Sequence, residues 1–380
     1  MKKIITFLVV LPAFLGMFLN TENLSAQGSI TVLTNPDAGV GINLYPIVYN
    51  NNLYYRYIDA SGKWRLSKYD GTSITMATNP DAGSGYYAAP TIYNNNLYFQ
   101  YYNSSYKYQL AKYDGSSLSL IANPDAGAGA QSTSIVYNNY LYLFLYYNNA
   151  SPHKFQLAKY DGTSLSLIAN PDAGDGNNGY PIIYNNNLYF QYKNAAAIYQ
   201  LAKYDGTSIT LVTNPDAGSG FFSYTPVVFN NSMYFIYCNA SNKYQLAKYD
   251  GTSITLIANP DANQGASGSP VVYNNNLYFK YCNASNIYQL AKYNGTSVSL
   301  LTNPDGGNGI QNNSIVYNNY LCLQYRNASS KYQLLKFDGT SFTLIANPDA
   351  GTGFTGYPVL YNYSLFFQVT APPFLSRLMR

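Results

Sequence analysis

The chain has 380 residues, of which 10% are charged, 44 are tyrosine and 46 are asparagine, and its formal net charge is +4. Soluble domains usually carry about 25% charged residues, so this chain presents a neutral, amide-rich surface. Such a balance excludes an acidic disordered chain, and the absence of clustered Lys/Arg argues against a nucleic-acid partner.

Lys2 and Lys3 precede an apolar stretch from Ile4 to Leu19, and a short polar segment then ends in Leu24-Ser25-Ala26-Gln27. A cationic start, an apolar centre and a small residue before the cut predict a secretory signal peptide over residues 1–26. The expected location is therefore secreted or on the extracellular surface. Leu24 is large for its place two residues before Ala26, and an uncleaved anchor is the competing expectation. No later stretch has the roughly 20 apolar residues needed to span a bilayer, so no transmembrane segment is expected after the signal peptide. Cys238, Cys282 and Cys322 are too few for a disulfide framework and are expected as free thiols.

The tripeptide Asn-Pro-Asp begins at residues 35, 79, 123, 170, 214, 259, 303 and 347, at intervals of 44, 44, 47, 44, 45, 44 and 44. A period of this length marks a repeat architecture. Within the unit from Asn214, four strand-like pieces alternate with turn signals. Pro226–Phe229 reads as strand A, Met233–Tyr237 as B, Lys243–Tyr249 as C and Thr252–Ile257 as D. Asn230-Asn231 and Asp250-Gly251 supply hairpin turns between A and B and between C and D. Apolar runs of four to six residues, punctuated by Gly, Pro and Asn, do not follow the 3.6-residue helical period. The fold class is therefore all-β. Four strands per unit favour a β-propeller of four-stranded antiparallel blades over an open β-solenoid.

One domain over 27–380 is expected, with eight blades. The last unit holds strands A (Val359-Leu360-Tyr361) and B (Leu365–Gln368), whereas Ser29-Ile30-Thr31-Val32-Leu33 reads as an orphan strand D. Joining them would close the ring without a free edge. The tail Ala371–Leu378 does not match any strand C, and a seven-bladed ring is the alternative.

Asn-Asn-Leu-Tyr-Phe, then Tyr-Gln-Leu-Ala-Lys-Tyr-Asp-Gly-Thr and Asn-Pro-Asp-Ala-Gly, resemble the secreted bacterial propeller repeats marked by Leu-Tyr-Phe and Glu-Leu-Trp-Lys-x-Asp-Gly-Thr. Lys112-Tyr113-Asp114-Gly115 and Lys203-Tyr204-Asp205-Gly206-Thr207 carry the match. Kelch-like repeats are more distant in style. The likeness covers almost the whole chain after residue 26, with Tyr-Gln-Leu-Ala replacing the Glu-Leu-Trp part except near Trp64. It implies an exported or cell-surface propeller and no particular activity.

Catalytic inventory is thin. Glu22 is the single glutamate and His153 the single histidine. Eight aspartates belong to Asn-Pro-Asp and six to Asp-Gly turns, leaving Asp59 and Asp175 outside both sets. A reaction centre needs one differentiated acid, base or nucleophile, and evenly distributed carboxylates supply none. No catalytic residue, metal site or cofactor is expected. Asn35, Pro36, Asp37, Asn79, Pro80, Asp81, Asp114, Gly115, Asp205 and Gly206 read as structural turn residues. Calcium at the Asn-Pro-Asp loops is a weaker alternative, because one carboxylate per loop is sparse.

Radial blades put the D-to-A and B-to-C connections on one face and the A-to-B and C-to-D turns on the other. The first face holds the segments that differ between copies. Asn43, Tyr86, Tyr87, Asn177, Asn178, Phe221 and Phe222 are therefore the candidate ligand-binding residues. Exposed aromatics beside amides point to a glycan or a surface protein as partner. The expected function is a non-enzymatic module binding a carbohydrate or surface ligand, with a purely structural repeat protein or a hydrolase as alternatives.

Overall fold

The structure is a computed structural model and describes residues 36–39, 41–42, 47–131, 134–149, 154–222, 224–311, 314–345, 353–361, 364–371 and 375–379. Residues 1–26, the expected closing strand at 29–33, Asn35, Asn43 and His153 lie outside them. Among the described residues every regular element is a β-strand, and no helix is long and apolar enough to cross a membrane.

Blade five shows the plan. Strands A (Val227–Phe229), B (Ser232–Cys238), C (Tyr244–Tyr249) and D (Ile254–Leu256) pair antiparallel in that order. Asn230 and Asn231 both take positive φ (45° and 53°), the conformation of a tight two-residue hairpin. At the C-to-D turn Gly251 has φ 106°, and the Asp250 carboxylate accepts the backbone N–H groups of Thr252 and Ser253. The same four-strand order recurs seven times along the chain. An eighth sheet follows from Gly353–Tyr361, Ser364–Ala371 and Leu375–Met379. The tail that resembles no strand C is thus a divergent strand C, paired to B from Phe367↔Met379 to Ala371↔Leu375.

Strand A is longer than its apolar run. In blade two a short piece, Gly85–Tyr86, pairs with the end of strand B, a break follows, and Thr91–Tyr93 pairs with its start. In blade six the two pieces merge into Gly265–Tyr273, with a register irregularity between Ser267 and Val271.

Strand A lies on the inside of the array. Neighbouring A strands meet directly: Ser134 Oγ donates to Thr91 Oγ1 at 2.8 Å, and the Thr225 N–H donates to Ser269 Oγ at 3.1 Å. At the D strands of blades four and five, by contrast, a cleft of about 440 Å³ opens between Thr210–Thr213 and Thr252–Ile254. Sheets that converge at one edge and splay at the other are radial blades.

The core lies between blades, because each sheet is apolar on both faces. One buried cluster joins Tyr142, Phe144 and Leu157 of blade three to Leu188, Phe190 and Ile209 of blade four. A tyrosine of strand B packs on a tyrosine of strand C in the next blade at nearly constant distance. The pairs Tyr54–Tyr113, Tyr98–Tyr160, Tyr142–Tyr204, Tyr189–Tyr249 and Tyr234–Tyr293 have ring centroids 5.5–5.6 Å apart. Such tilted pairs suit the ring quadrupole. Among the described residues the largest fully buried side chains are tyrosines.

Candidate functional site

The Asn-Pro-Asp segment is a staple between blades. Its asparagine reaches back: Asn79 Nδ2 donates to the Trp64 carbonyl, where strand C of the preceding blade begins, and Asn259 does the same to Tyr244 at 3.0 Å. Its aspartate reaches forward. Asp216 Oδ1 accepts the Gly218 N–H and the Tyr237 hydroxyl, while Oδ2 accepts the Ala240 N–H in the B-to-C loop of blade five. Equivalent bonds are made by Asp37, Asp81, Asp125, Asp172, Asp261 and Asp305.

The glycines that follow let the crossing chain touch both blades. Gly85 pairs with Trp64 of blade one and with Tyr102 of blade two, and a Cβ there would sit 1.9 Å from the Trp64 carbonyl oxygen. Only glycine permits that approach together with its φ of 99°.

Every aspartate among the described residues is engaged. Asp70, Asp114, Asp161, Asp205, Asp250 and Asp338 accept backbone N–H bonds within their turns, which hold their carboxyls below the usual range. For the staple aspartates burial works the other way, but the N–H and phenol donors outweigh it, and Asp172 and Asp216 are lowered as well. Asp59 occupies the place of Asn103 and pairs with Arg65 at 2.6 Å, where other blades have an Asn–Gln hydrogen bond such as Asn103–Gln109. Asp175 pairs with Lys193 at 2.6 Å. No three of His, Cys, Asp or Glu converge among the described residues, and Cys238, Cys282 and Cys322 are buried free thiols.

The candidate ligand residues fall in a different setting from the one expected. Tyr86, Asn177 and Phe221 lie in the short first pieces of strand A and are buried between blades. Tyr87, Asn178 and Phe222 follow them at the break and are half-buried. The break leaves backbone carbonyls inside the interface, and polar residues in the middle of strand B serve them. Arg56 Nη1 donates to the Tyr87 carbonyl at 2.6 Å, Gln191 to that of Phe221, and Lys280 to that of Gln311 at 3.0 Å. Variability at these positions therefore reflects in part how each blade seals its inner junction.

A second set of residues was hidden in the sequence. Val48, Ile92, Ile183, Val228 and Val272 hold the same place in their A strands and are 36–46% exposed. The second piece of strand A pairs with B on one side only, so its other edge opens inward. The result is a row of branched aliphatic side chains beside open backbone edges along the inner rim. In the sequence these residues are the middle of Ile-Val-Tyr-type runs and look like core. The signal that separates them is position: they precede by one the aromatic that abuts Asn-Asn, and that aromatic is the buried one.

No family model and no curated protein sequence matches the chain. Solved structures of similar fold include a puromycin-hydrolyzing peptidase of Mycobacterium tuberculosis, with 11% identity and a TM-score of 0.51 over 88% of this chain and 59% of that one. A prolyl endopeptidase structure reaches a TM-score of 0.54 at 12% identity over 88% of this chain and 55% of that one. The β-propeller domain of the Trilobed protease from Pyrococcus furiosus is similar over 81% of this chain and 99% of that domain, with 11% identity and a TM-score of 0.44. The chain thus spans somewhat over half the length of the two peptidases. At these identities the likeness is one of fold, that of a β-propeller. The expectation of a carbohydrate- or surface-ligand-binding module is corrected to this extent: these similar structures are of peptidases, and none is a carbohydrate-binding module.

Proposed function

We propose that the chain is a peptide-binding propeller that serves a hydrolase and carries out no bond cleavage itself. The observation that carries this reading is the inner rim. Open strand edges offer backbone donors and acceptors to an extended chain, and the row Val48, Ile92, Ile183, Val228 and Val272 offers apolar contacts beside them. Strand addition of this kind is a general mode of peptide recognition. The engagement of every described aspartate in structural bonds supports a non-catalytic role. The fold likeness to peptidases supports a peptide as the ligand.

The test uses the purified chain alone. Fluorogenic peptides should remain uncleaved, while a labelled, extended, apolar decapeptide should bind by fluorescence polarisation. Ile183→Lys and Val228→Lys, both at exposed positions, should weaken that binding without lowering the melting temperature. Cleavage by the isolated chain, or undiminished binding by the two lysine variants, contradicts the proposal.

A further inference from the structure

Tyr106 stands out from its repeat. It has φ 59° and is 79% exposed. The same place in other B-to-C loops is filled by Gly62, Ala197, Asn242, Asn286 and Ser330, also at positive φ. A bulky aromatic is the least suited of these to the left-handed region. Strain retained at an exposed side chain points to a use for that side chain.

What Tyr106 adds is the outer end of a line of rings crossing from blade two to blade one. Tyr106 meets Tyr102 at 6.3 Å between centroids, Tyr102 meets Tyr108 at 4.7 Å, Tyr108 meets Tyr87 at 4.7 Å, and Tyr87 meets Trp64 at 5.7 Å. Trp64, Tyr87, Tyr102 and Tyr108 are half-buried, so each ring is held by the blades and still presents part of its surface. They come from four different places in the fold: the start of strand C in two blades, the end of strand B, and the break in strand A.

The chemistry of this surface is one-sided. It offers ring faces and donors: phenols along the line, and at its far end the Arg56 guanidinium 5.0 Å from the centroid of the Trp64 ring. The Asp81 carboxylate already accepts from Gly83, Tyr101 and Ser104, and the Asn103 side-chain oxygen accepts the N–H groups of Ser105 and Lys107. A ligand that fits has carbonyl acceptors, flat apolar rings and few donors of its own. Proline-rich chain has that make-up, because each proline lacks an N–H and the polyproline II backbone leaves its carbonyls unpaired. Aromatic-lined surfaces are a general way to bind such segments at low entropic cost.

We propose that the line Trp64–Tyr87–Tyr108–Tyr102–Tyr106 is a binding site for proline-rich peptide, distinct from the inner rim and resting on the peptide-binding reading above. It names proline as the feature that this face selects.

Trp64 is the single tryptophan of the chain and reports on the site directly. Titration of the full chain with decaproline should give a saturable change in its emission. Tyr106→Asn converts the loop to the form seen at Asn242 and Asn286, so it should hold or raise the melting temperature. It should weaken decaproline binding by about 5-fold, the scale of one lost ring contact. Tyr102→Lys, which places there the residue that blade four has at Lys193, should weaken it similarly. An unchanged affinity in Tyr106→Asn overturns the site. So does a proline-free Ser/Val decapeptide that binds while decaproline does not, although the inner-rim reading then stands. If neither peptide binds, the peptide-binding reading falls with it.

Discussion

Two kinds of aspartate alternate along this chain and do different work. Asp205 serves its own turn, accepting the N–H groups of Thr207 and Ser208. Blade six has Asn294 at that place, and its side-chain oxygen accepts the same two bonds, from Thr296 and Ser297. One acceptor oxygen suffices there. Asp216 uses both oxygens, and its partners lie on strand B and the B-to-C loop more than 20 residues away. An amide nitrogen at either oxygen position would face a donor. Asp216→Asn should therefore cost about 1–3 kcal/mol, the range for losing a charged acceptor from partly buried donors. Asp205→Asn should leave stability nearly unchanged, as surface substitutions usually do. Urea melts of the two variants measure the contrast, and equal losses would contradict the staple.

At the level of strands and turns, much could be read from the sequence. The four-strand unit was visible because hairpin turns have local chemistry: Asn230-Asn231 and Asp250-Gly251 need no distant partner to declare themselves. What stayed hidden was every contact between units. Asn-Pro-Asp does form a local turn, with Asp216 bonded to the Gly218 N–H, but its cross-blade partners leave no mark in the spacing. The segments after it vary and carry glycine and amides, which reads as a solvent loop. They are instead wedged between sheets, where glycine is required by contact and not by a turn. Asn263 shows how local that requirement is, because it stands where other blades have glycine and uses its amide to bond the Asn283 carbonyl that its neighbours approach by backbone. The opposite face has a similar tie. Tyr49, Tyr93, Tyr137, Tyr184 and Tyr273 at the ends of strand A donate a hydroxyl bond to the Asn-Asn turn of the next blade at 2.7–2.9 Å. Phe229 holds this place in blade five with similar ring packing, 6.0 Å from Tyr234 against 5.9 Å for Tyr184–Tyr189, and no hydroxyl. Phe229→Tyr should supply the missing bond to blade six and stabilise the protein by about 0.5–1.5 kcal/mol. A loss of stability in the same melts would show that the junction between blades five and six is packed differently from the rest.

Across the whole molecule, the interfaces between blades are built from phenols, and this ties stability to pH in a particular way. Burial raises the Tyr189 and Tyr142 phenols above the ordinary value of 10.0, with the hydrogen-bonded neighbours Tyr249 and Tyr204 adding to the shift. Burial raises Tyr146 and Tyr192 as well, helped by the Asp125 and Asp172 carboxylates that accept their hydroxyl hydrogen bonds. A phenol whose folded pKa exceeds its unfolded value contributes stability that is complete below about pH 10 and lost as pH rises toward the folded pKa. The staple aspartates act at the other end. Their folded pKa values are depressed, so their contribution is complete above about pH 4 and lost as pH falls below it. The melting temperature should therefore be nearly level from about pH 5 to 9 and fall on both sides. The alkaline fall should be the steeper, because several buried tyrosines recur at every described interface, while each unit has one staple carboxylate and at most one exposed turn carboxylate on the acid side. Tyrosinate absorbance at about 295 nm, followed together with far-ultraviolet circular dichroism, separates the possibilities. If the blades pack as described, many phenols ionise only as the sheet signal collapses, in one cooperative step above the ordinary tyrosine range. Smooth ionisation of all tyrosines near pH 10 with the sheet signal intact would mean that the rings between blades are open to water, and the radial packing that positions both proposed peptide sites would fail with them.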